Sequence, residues 1–324
     1  MKLETRLNSL LNIHYPVMSA PMSMHSGATL AAAVTHAGGL GMFGAIGSGG
    51  EDWLQTELVK ANNLLGDKPF GIGFITHLMD SMPGLFEIAL EAQVSVMAFS
   101  FADPGPYIHR AKEAGATTVC QIRNMDQAAE AVAAGADILV AQGNESGGHT
   151  GEANLMPLLN RVLDAHPDIP VLAAGGISCG RALAAVIAAG ADGAWIGTPL
   201  LATPECVEVS MAYKQRLIDA SAEDTLYTPL FDVANHQAYH GTPWPSGIAA
   251  RVIANDFTAE WNNKINEVTS SNTSLMEYYK EQIKNKNLDV SVVYAGESVQ
   301  DIHQIQPAED IIRSICDDAQ ARLK

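Results

Sequence analysis

The sequence predicts an α/β chain that closes into a (β/α)8, or TIM, barrel with a small, mostly helical additional domain. Three observations carry that expectation. Short, near-continuous apolar runs alternate with alanine-rich helical stretches, the pattern of a parallel sheet covered on both faces. Eight such runs precede residue 200, a number that suits a closed barrel better than an open sheet. A phrase also repeats: Gly38-Gly-Leu-Gly41, Glu113-Ala-Gly-Ala116, Ala134-Gly-Ala-Asp137 and Ala189-Gly-Ala-Asp192 each close a helix and enter the next strand. The glycine supplies the left-handed residue that follows a helix.

In order, strands are expected over residues 16–22, 40–45, 70–75, 94–101, 117–122, 137–143, 170–176 and 193–198. Helical patterns lie between them, among them 28–37, 53–65, 105–114, 125–134 and 179–189, with Ser178 and Thr203 as expected N-caps. After Pro204 the composition changes. Residues 221–290 carry Asn-, Ser- and Thr-rich linkers and helical runs at 248–261 and 274–285. This region reads as a small helical addition near the barrel mouth, after a barrel spanning residues 1–220. Residues 291–324 then return to the barrel through a final amphipathic helix with Ile311, Ile312, Ile315 and Ala319 on one face.

Bulk properties bound the function. With 47% hydrophobic and 17% charged residues in 324, the chain can bury a large core. Its net charge of −17 argues against nucleic acid as a partner, because no basic face is available to neutralise phosphates. No apolar run approaches the roughly 20 residues that span a bilayer, so no membrane partner is expected. Cys120, Cys179, Cys206 and Cys316 form neither a Cys-x-x-Cys pair nor a zinc spacing. With no signal-peptide core at the N-terminus, free thiols and a cytoplasmic location are the expectation. His236 and His240 lack a carboxylate partner at metal spacing, so no metal is expected. The oligomeric state is left open.

The chemistry concentrates at the expected C-terminal strand ends, the face on which barrels carry active sites. Residues 140–151 place four glycines, several polar side chains and His149 just beyond a buried strand. Glycine admits a ligand close to the backbone, and histidine moves protons near neutral pH. A glycine-rich turn with an incidental histidine is the plainer alternative. Ala173-Ala-Gly-Gly-Ile177 and Ala194-Trp-Ile-Gly-Thr198 end strands seven and eight, where barrels hold phosphate on backbone N–H groups. Gly175 and Gly176 would expose backbone, and the Thr198 hydroxyl would add a hydrogen bond; tight turns without a ligand would use the same residues. Ala20-Pro21-Met22 offers freed backbone and a polarizable side chain to a planar ring, and core packing would use the same residues equally well. Gln121 and Gln142, set in apolar strands, need partners when buried.

Ala141-Gln-Gly-Asn-Glu-Ser-Gly-Gly-His-Thr-Gly151 resembles the Ala-Gln-Gly-x-Glu-Ala-Gly-Gly-His-x-Gly signature of the nitronate monooxygenases, formerly 2-nitropropane dioxygenases. The segments at 20–22, 38–41, 173–177, 196–198, 295–298 and 306–308 fall in that family's order, so the resemblance covers nearly the whole chain. It implies an FMN-containing barrel with a small extra domain. Gln142 and Gly147 would contact the flavin. Gly176, Trp195, Ile196, Gly197 and Thr198 would hold its phosphate end, and His149 would be the catalytic base. Ala20, Pro21, Met22, Gln121, Gly148 and Gly175 complete the expected cofactor-binding set. Two departures stand out: Gly73 lies where many relatives carry a flavin-contacting Asn, and Ser146 replaces the commoner Ala.

The expected reaction is FMN-dependent oxidation of alkyl nitronates or nitroalkanes by O2 to a carbonyl compound and nitrite. The rivals are an NAD(P)H-dependent FMN reductase of quinones or enoyl thioesters, and a barrel that merely binds a phosphorylated metabolite. His25 is held in reserve as a second candidate on the same face. Trp244 is read either as an entrance residue or as packing against the barrel.

Overall fold

The computed structural model describes residues 3–324. A short helix, α1 (Arg6–Leu11), precedes β1 (Val17–Ser19), β2 (Met42–Gly44), β3 (Gly71–Ile75), β4 (Val96–Ser100), β5 (Thr117–Ile122) and β6 (Ile138–Gln142). The strand β7 (Gly148–Thr150) lies outside the barrel, which continues with β8 (Val171–Ala174) and β9 (Gly193–Ile196). All eight barrel strands run parallel in the order β1-β9-β8-β6-β5-β4-β3-β2. The seam between β1 and β2 closes through a bridge between Met18 and Leu40. The Ser19 hydroxyl reinforces it, accepting from the Met42 amide at 2.7 Å and donating to the Met42 carbonyl at 3.3 Å. The expected barrel is therefore present.

Side chains alternate across the strands with period two. Met18, Leu40, Met42, Val96, Ala98, Val119, Ile138, Val140, Leu172, Ala174 and Trp195 fill the interior, with Leu7 and Leu11 of α1 packed among them. Their strand neighbours, including Val17, Phe43, Ile72, Phe99 and Leu139, pack under the helices. Those helices are α2 (Ala28–His36), α3 (Gly50–Leu65), α4 (Pro83–Glu91), α5 (Gly105–Glu113), α6 (Met125–Ala133), α7 (Leu155–Ala165), α8 (Gly180–Ala188) and the short α9 (Thr198–Leu201). The repeated phrase has a second use. Asp137 accepts from the Thr118 amide at 2.9 Å, and Asp192 accepts from the Val171 amide at 3.0 Å. Asp192 also takes a two-pronged pair from Arg6, which fastens α1 to the barrel floor.

Beyond α10 (Met211–Asp219), β10 (Thr225–Thr228) and α11 (Leu230–Tyr239) lead to β11 (Ala249–Ile253), α12 (Asp256–Trp261) and α13 (Thr273–Lys284). Leu230, Phe231, Phe257, Met276 and Tyr279 form a separate core there. The expected helix at 248–261 is half wrong. Ala249-Ala-Arg-Val-Ile253 contains good helix formers, yet β11 pairs antiparallel with β10 on one side and β7 on the other. Tertiary pairing overrides the local preference. The final helix, α14 (Ala308–Arg322), buries Ile311, Ile312, Ile315 and Ala319 as expected.

Other expectations shift too. The first strand ends at Ser19, before Pro21, and β9 ends at Ile196 because α9 starts at Thr198. Neither expected cap serves: Cys179 is the N-cap of α8, the Ser178 hydroxyl donates to Asp301, and the Thr203 hydroxyl donates to the Leu200 carbonyl behind α9.

One packing contact bears on the site. A Cβ on Gly73 would lie 2.1 Å from Pro21 Cγ and 2.4 Å from Pro21 Cβ. Gly73→Ala is therefore expected to cost about 1–3 kcal/mol through overpacking. Adding Pro21→Gly should return part of that loss. Thermal unfolding of the four proteins in the cycle measures the coupling, and strictly additive losses would refute the contact.

Candidate active site

The site is built where β6 gives way to β7. Gln142, at the end of β6, donates from Nε2 to the His149 carbonyl at 3.0 Å. Thr150 Oγ1 donates to the Gly143 carbonyl at 3.1 Å, and Asn144 Nδ2 to the Gly151 carbonyl at 2.6 Å. Gly148, at φ +75°, turns the chain into β7 in the left-handed region that glycine adopts freely. His149 consequently sits on a strand paired with Ala250, not in an open loop.

The second module completes its environment. His149 Nε2 lies 2.8 Å from Asp232 Oδ1 in the first turn of α11, and both side chains are nearly buried. The Trp244 indole stacks on the imidazole, with centroids 3.4 Å apart and planes inclined by 13°. Phe101 meets Trp244 edge-on at 5.1 Å and His149 at 6.3 Å. It holds φ +78°, a costly conformation for an aromatic residue and one found where surrounding structure over-determines it. Tyr294 approaches His149 from another side at 5.7 Å. Trp244 is thus a wall of the site, which decides between its two sequence readings.

His77, in the turn after β3, packs on Trp244 at 4.6 Å. Both of its ring nitrogens are buried without a protein partner. Burial, then His149 and Arg123, push its pKa down to about 4. His25, the reserve candidate, bonds the Ser23 carbonyl through Nδ1 at 3.0 Å and lies against Tyr213 and Tyr294. It stands behind Tyr294 rather than beside His149.

The expected cofactor set converges on the same face. Gln142 Oε1, Ser146 Oγ and Trp195 Nε1 are buried without protein partners, an acceptor, a hydroxyl and a donor left over at one mouth. Gln121 follows Val119 in register and so faces inward with Gln142. Ala20 and Met22 come together at Gly197, where a Cβ would lie 3.4 Å from Ala20 Cβ and 3.5 Å from Met22 Sδ. Gly176 is exposed at φ +68°, and a Cβ there would meet only Glu145 Cβ within 4 Å, so its backbone is open to a ligand. Gly175 instead is confined by Ser146, whose Oγ would lie 2.7 Å from an added Cβ. Thr198 Oγ1 accepts from the Gly296 amide at 3.0 Å and retains its proton to donate. These residues fit a flat ring bearing carbonyl and N–H groups and ending in phosphate.

Two expected residues stand differently. The Ile196 side chain is buried under the helices and its carbonyl accepts from Ala20, so only its remaining backbone faces the site. Gly147 is glycine because the Gly296 amide would lie 2.4 Å from a Cβ there. His77 was legible only as one weak candidate among the histidines. Asp232, Phe101, Arg123 and Tyr294 were not legible as site residues, since no local motif surrounds them and only the tertiary fold brings them to His149.

The nitronate monooxygenase family profile matches residues 4–89 and 77–318. The chain belongs to the nitronate monooxygenase family. It is accordingly a flavin-type oxidoreductase by family. It is 31% identical over 298 residues to a nitronate monooxygenase of Paraburkholderia phytofirmans, covering 77% of this chain and 76% of that protein. It is 37% identical over 239 residues to the (3aS,4S,5R,7aS)-5-hydroxy-7a-methyl-1-oxo-octahydro-1H-indene-4-carboxyl-CoA dehydrogenase of Mycobacterium tuberculosis, covering 73% of this chain and 66% of that one. The structure of FabK from Thermotoga maritima superposes with a TM-score of 0.82 at 32% identity, covering 99% of this chain and 97% of that one. Proteins similar to this chain thus carry more than one named activity. No helix among the described residues is long and apolar enough to cross a membrane.

His77 gives this family member a pH signature. Its folded pKa, about 4, lies below the ordinary 6.5, so between those values the unfolded chain takes up a proton that the folded chain refuses. Its contribution to stability is full above pH 6.5 and is lost as pH falls toward 4. His77→Gln is expected to flatten the stability profile across that window. Urea unfolding at several pH values measures it, and an unchanged slope would count against a buried, neutral His77.

Proposed function

We propose that this chain binds FMN at the barrel mouth and oxidises alkyl nitronates with O2 to a carbonyl compound and nitrite, with His149 as the base. The observation that carries this reading is the buried His149–Asp232 pair beside three orphaned polar atoms, Gln142 Oε1, Ser146 Oγ and Trp195 Nε1. Gln121, Gln142, Ala20, Pro21 and Met22 would surround the ring; Trp195, expected at the phosphate end, turns its side chain into the barrel interior and would join them there. Gly175, Gly176, Gly197 and Thr198, with the backbone of Ile196, would hold the phosphate, and Gly147 and Gly148 would edge the loop. The bound flavin supplies the electron transfer that no side chain can perform.

The remaining work is proton control. With the Nε2 proton donated to Asp232, Nδ1 carries the free lone pair and can take the α-proton of a neutral nitroalkane. The Asp232 carboxylate fixes the ring's tautomer and stabilises the imidazolium that forms. Trp244 and Phe101 keep water from the same face. The four cysteines are unpaired, which supports a reducing, cytoplasmic setting. We also retain 1–220, 221–290 and 291–324 as the units of the chain.

One observation favours a second reading on the same scaffold. Pro21 fills the space that a side chain at position 73 would need, so the Asn that the family resemblance implies there has no place here. Together with the carboxyl-CoA dehydrogenase name of the Mycobacterium relative, this supports a substrate other than a nitronate on the same scaffold. The rival reading is NAD(P)H-dependent reduction of FMN and then of an enoyl thioester or quinone. Anaerobic mixing of the yellow protein separates the two. Bleaching by ethyl nitronate and not by NADH or NADPH is expected; the reverse would overturn the nitronate reading. His149→Asn is expected to keep the flavin and slow neutral nitroethane about 100-fold or more, within the usual contribution of a general base, while slowing ethyl nitronate far less. Equal slowing of both would remove His149 from proton transfer.

A further inference from the structure

Arg123 follows β5 directly on the active-site face and is only 7% exposed. Its guanidinium lies 5.4 Å over the Phe101 ring, and Phe101 in turn meets both Trp244 and His149. Nε has no partner, and among the described residues no carboxylate lies within ion-pair distance of the side chain. Carboxylates are not scarce, for the chain has 36 acidic residues against 19 basic ones. The other buried cations are satisfied: Arg251 bonds Asn144, Thr225 and Glu297, and Lys214 donates to the Thr203 carbonyl at 2.7 Å. A charge buried without a counter-charge is unfavourable unless an anion joins it. His77, close enough to feel both Arg123 and His149, adds two more unpartnered nitrogens.

We propose that Arg123, with His77 as an additional hydrogen-bond donor, forms the subsite that receives a planar, singly charged oxyanion of the substrate beside His149. The guanidinium fork matches two coplanar oxygens, and the aromatic walls of Phe101 and Trp244 suit a flat group better than a tetrahedral phosphate. The group is either the reacting nitronate or a carboxylate elsewhere on the substrate. The subsite rests on the flavin-oxidoreductase reading, but its test does not require turnover.

Nitrate, a planar monoanion, is titrated into the flavin-loaded protein and followed by flavin absorbance and tryptophan fluorescence. Wild type is expected to bind it, Arg123→Gln to weaken binding about 10- to 100-fold, the range of a charge-assisted hydrogen bond, and Arg123→Lys to restore part of that loss. His77→Gln is expected to weaken it about 3- to 10-fold, as for a neutral donor. Equal binding by wild type and Arg123→Gln, or no binding by wild type, overturns the subsite. Should Arg123→Gln fail to fold, the comparison of wild type with Arg123→Lys decides, and equal affinity there overturns it. Steady-state assays then identify the source. A KM for ethyl nitronate that rises while that for nitroethane holds assigns the reacting nitronate. Unchanged KM values for both, with nitrate binding lost, assign a carboxylate elsewhere. A wild type that binds nitrate through Arg123 yet does not oxidise ethyl nitronate leaves the subsite standing and removes the nitronate reading alone.

Discussion

Three register pairs between β7 and β11, Ala249 with Thr150, Ala250 with His149 and Arg251 with Gly148, decide where the imidazole points. A histidine on a free glycine-rich turn would sample many orientations. Paired into a ladder, it has one backbone direction, and Gln142 fixes the same carbonyl from the barrel side. Arg251 extends the clamp by donating to the Asn144 carbonyl at 2.8 Å and by facing Glu297 at 3.3 Å. The barrel contributes the imidazole; the second module contributes the strand, the Asp232 carboxylate and the Trp244 wall that hold it. Neither half is a site alone.

The barrel prepares its mouth through the same alternation that packs its core. Along β5 the inward positions pass from Val119 to Gln121, and along β6 from Ile138 and Val140 to Gln142. Each strand thus turns from apolar to polar in its last inward position, where a ligand can satisfy what the protein leaves unpaired. On β3 the inward positions are Gly71 and Gly73, and the space belongs to Met42 and Pro21 instead. Pro21 therefore acts as a side chain lent across the barrel. That exchange changes the shape offered to a ring without disturbing the strand.

The legible part of this molecule was local. Barrel strands announce themselves through continuous apolar runs, and the Gln142-to-His149 segment compresses strand end, glycines and histidine into a single stretch. The illegible part was long-range. His149 and Asp232 are 83 residues apart, and nothing about Leu230-Phe-Asp232 marks it as a histidine's partner. Residues 249–253 misled for the same reason: Ala and Arg favour a helix until two strands, both distant in sequence, supply edges to pair with. Phe101 reads as a strand end, and Arg123 carries no signal in the sequence. Only the left-handed backbone of the first and the missing counter-charge of the second set them apart, and both are properties of the folded state.

These layers explain how similar chains can carry several named activities on one scaffold. On the proposed reading, the phosphate-end glycines and the inward glutamines would serve any reaction that needs the same flavin. The His149–Asp232 pair would serve any reaction that moves a proton at carbon. What remains free to vary is the wall: Phe101, Trp244, His77 and the buried charge of Arg123, none of which the barrel needs in order to close. In a chain with a net charge of −17, electrostatic repulsion disfavours the approach of any anion, so an unpaired guanidinium at the mouth supplies the local attraction that the surface lacks. On the subsite proposed for Arg123, specificity would then reside in one desolvated positive charge set against an acidic whole.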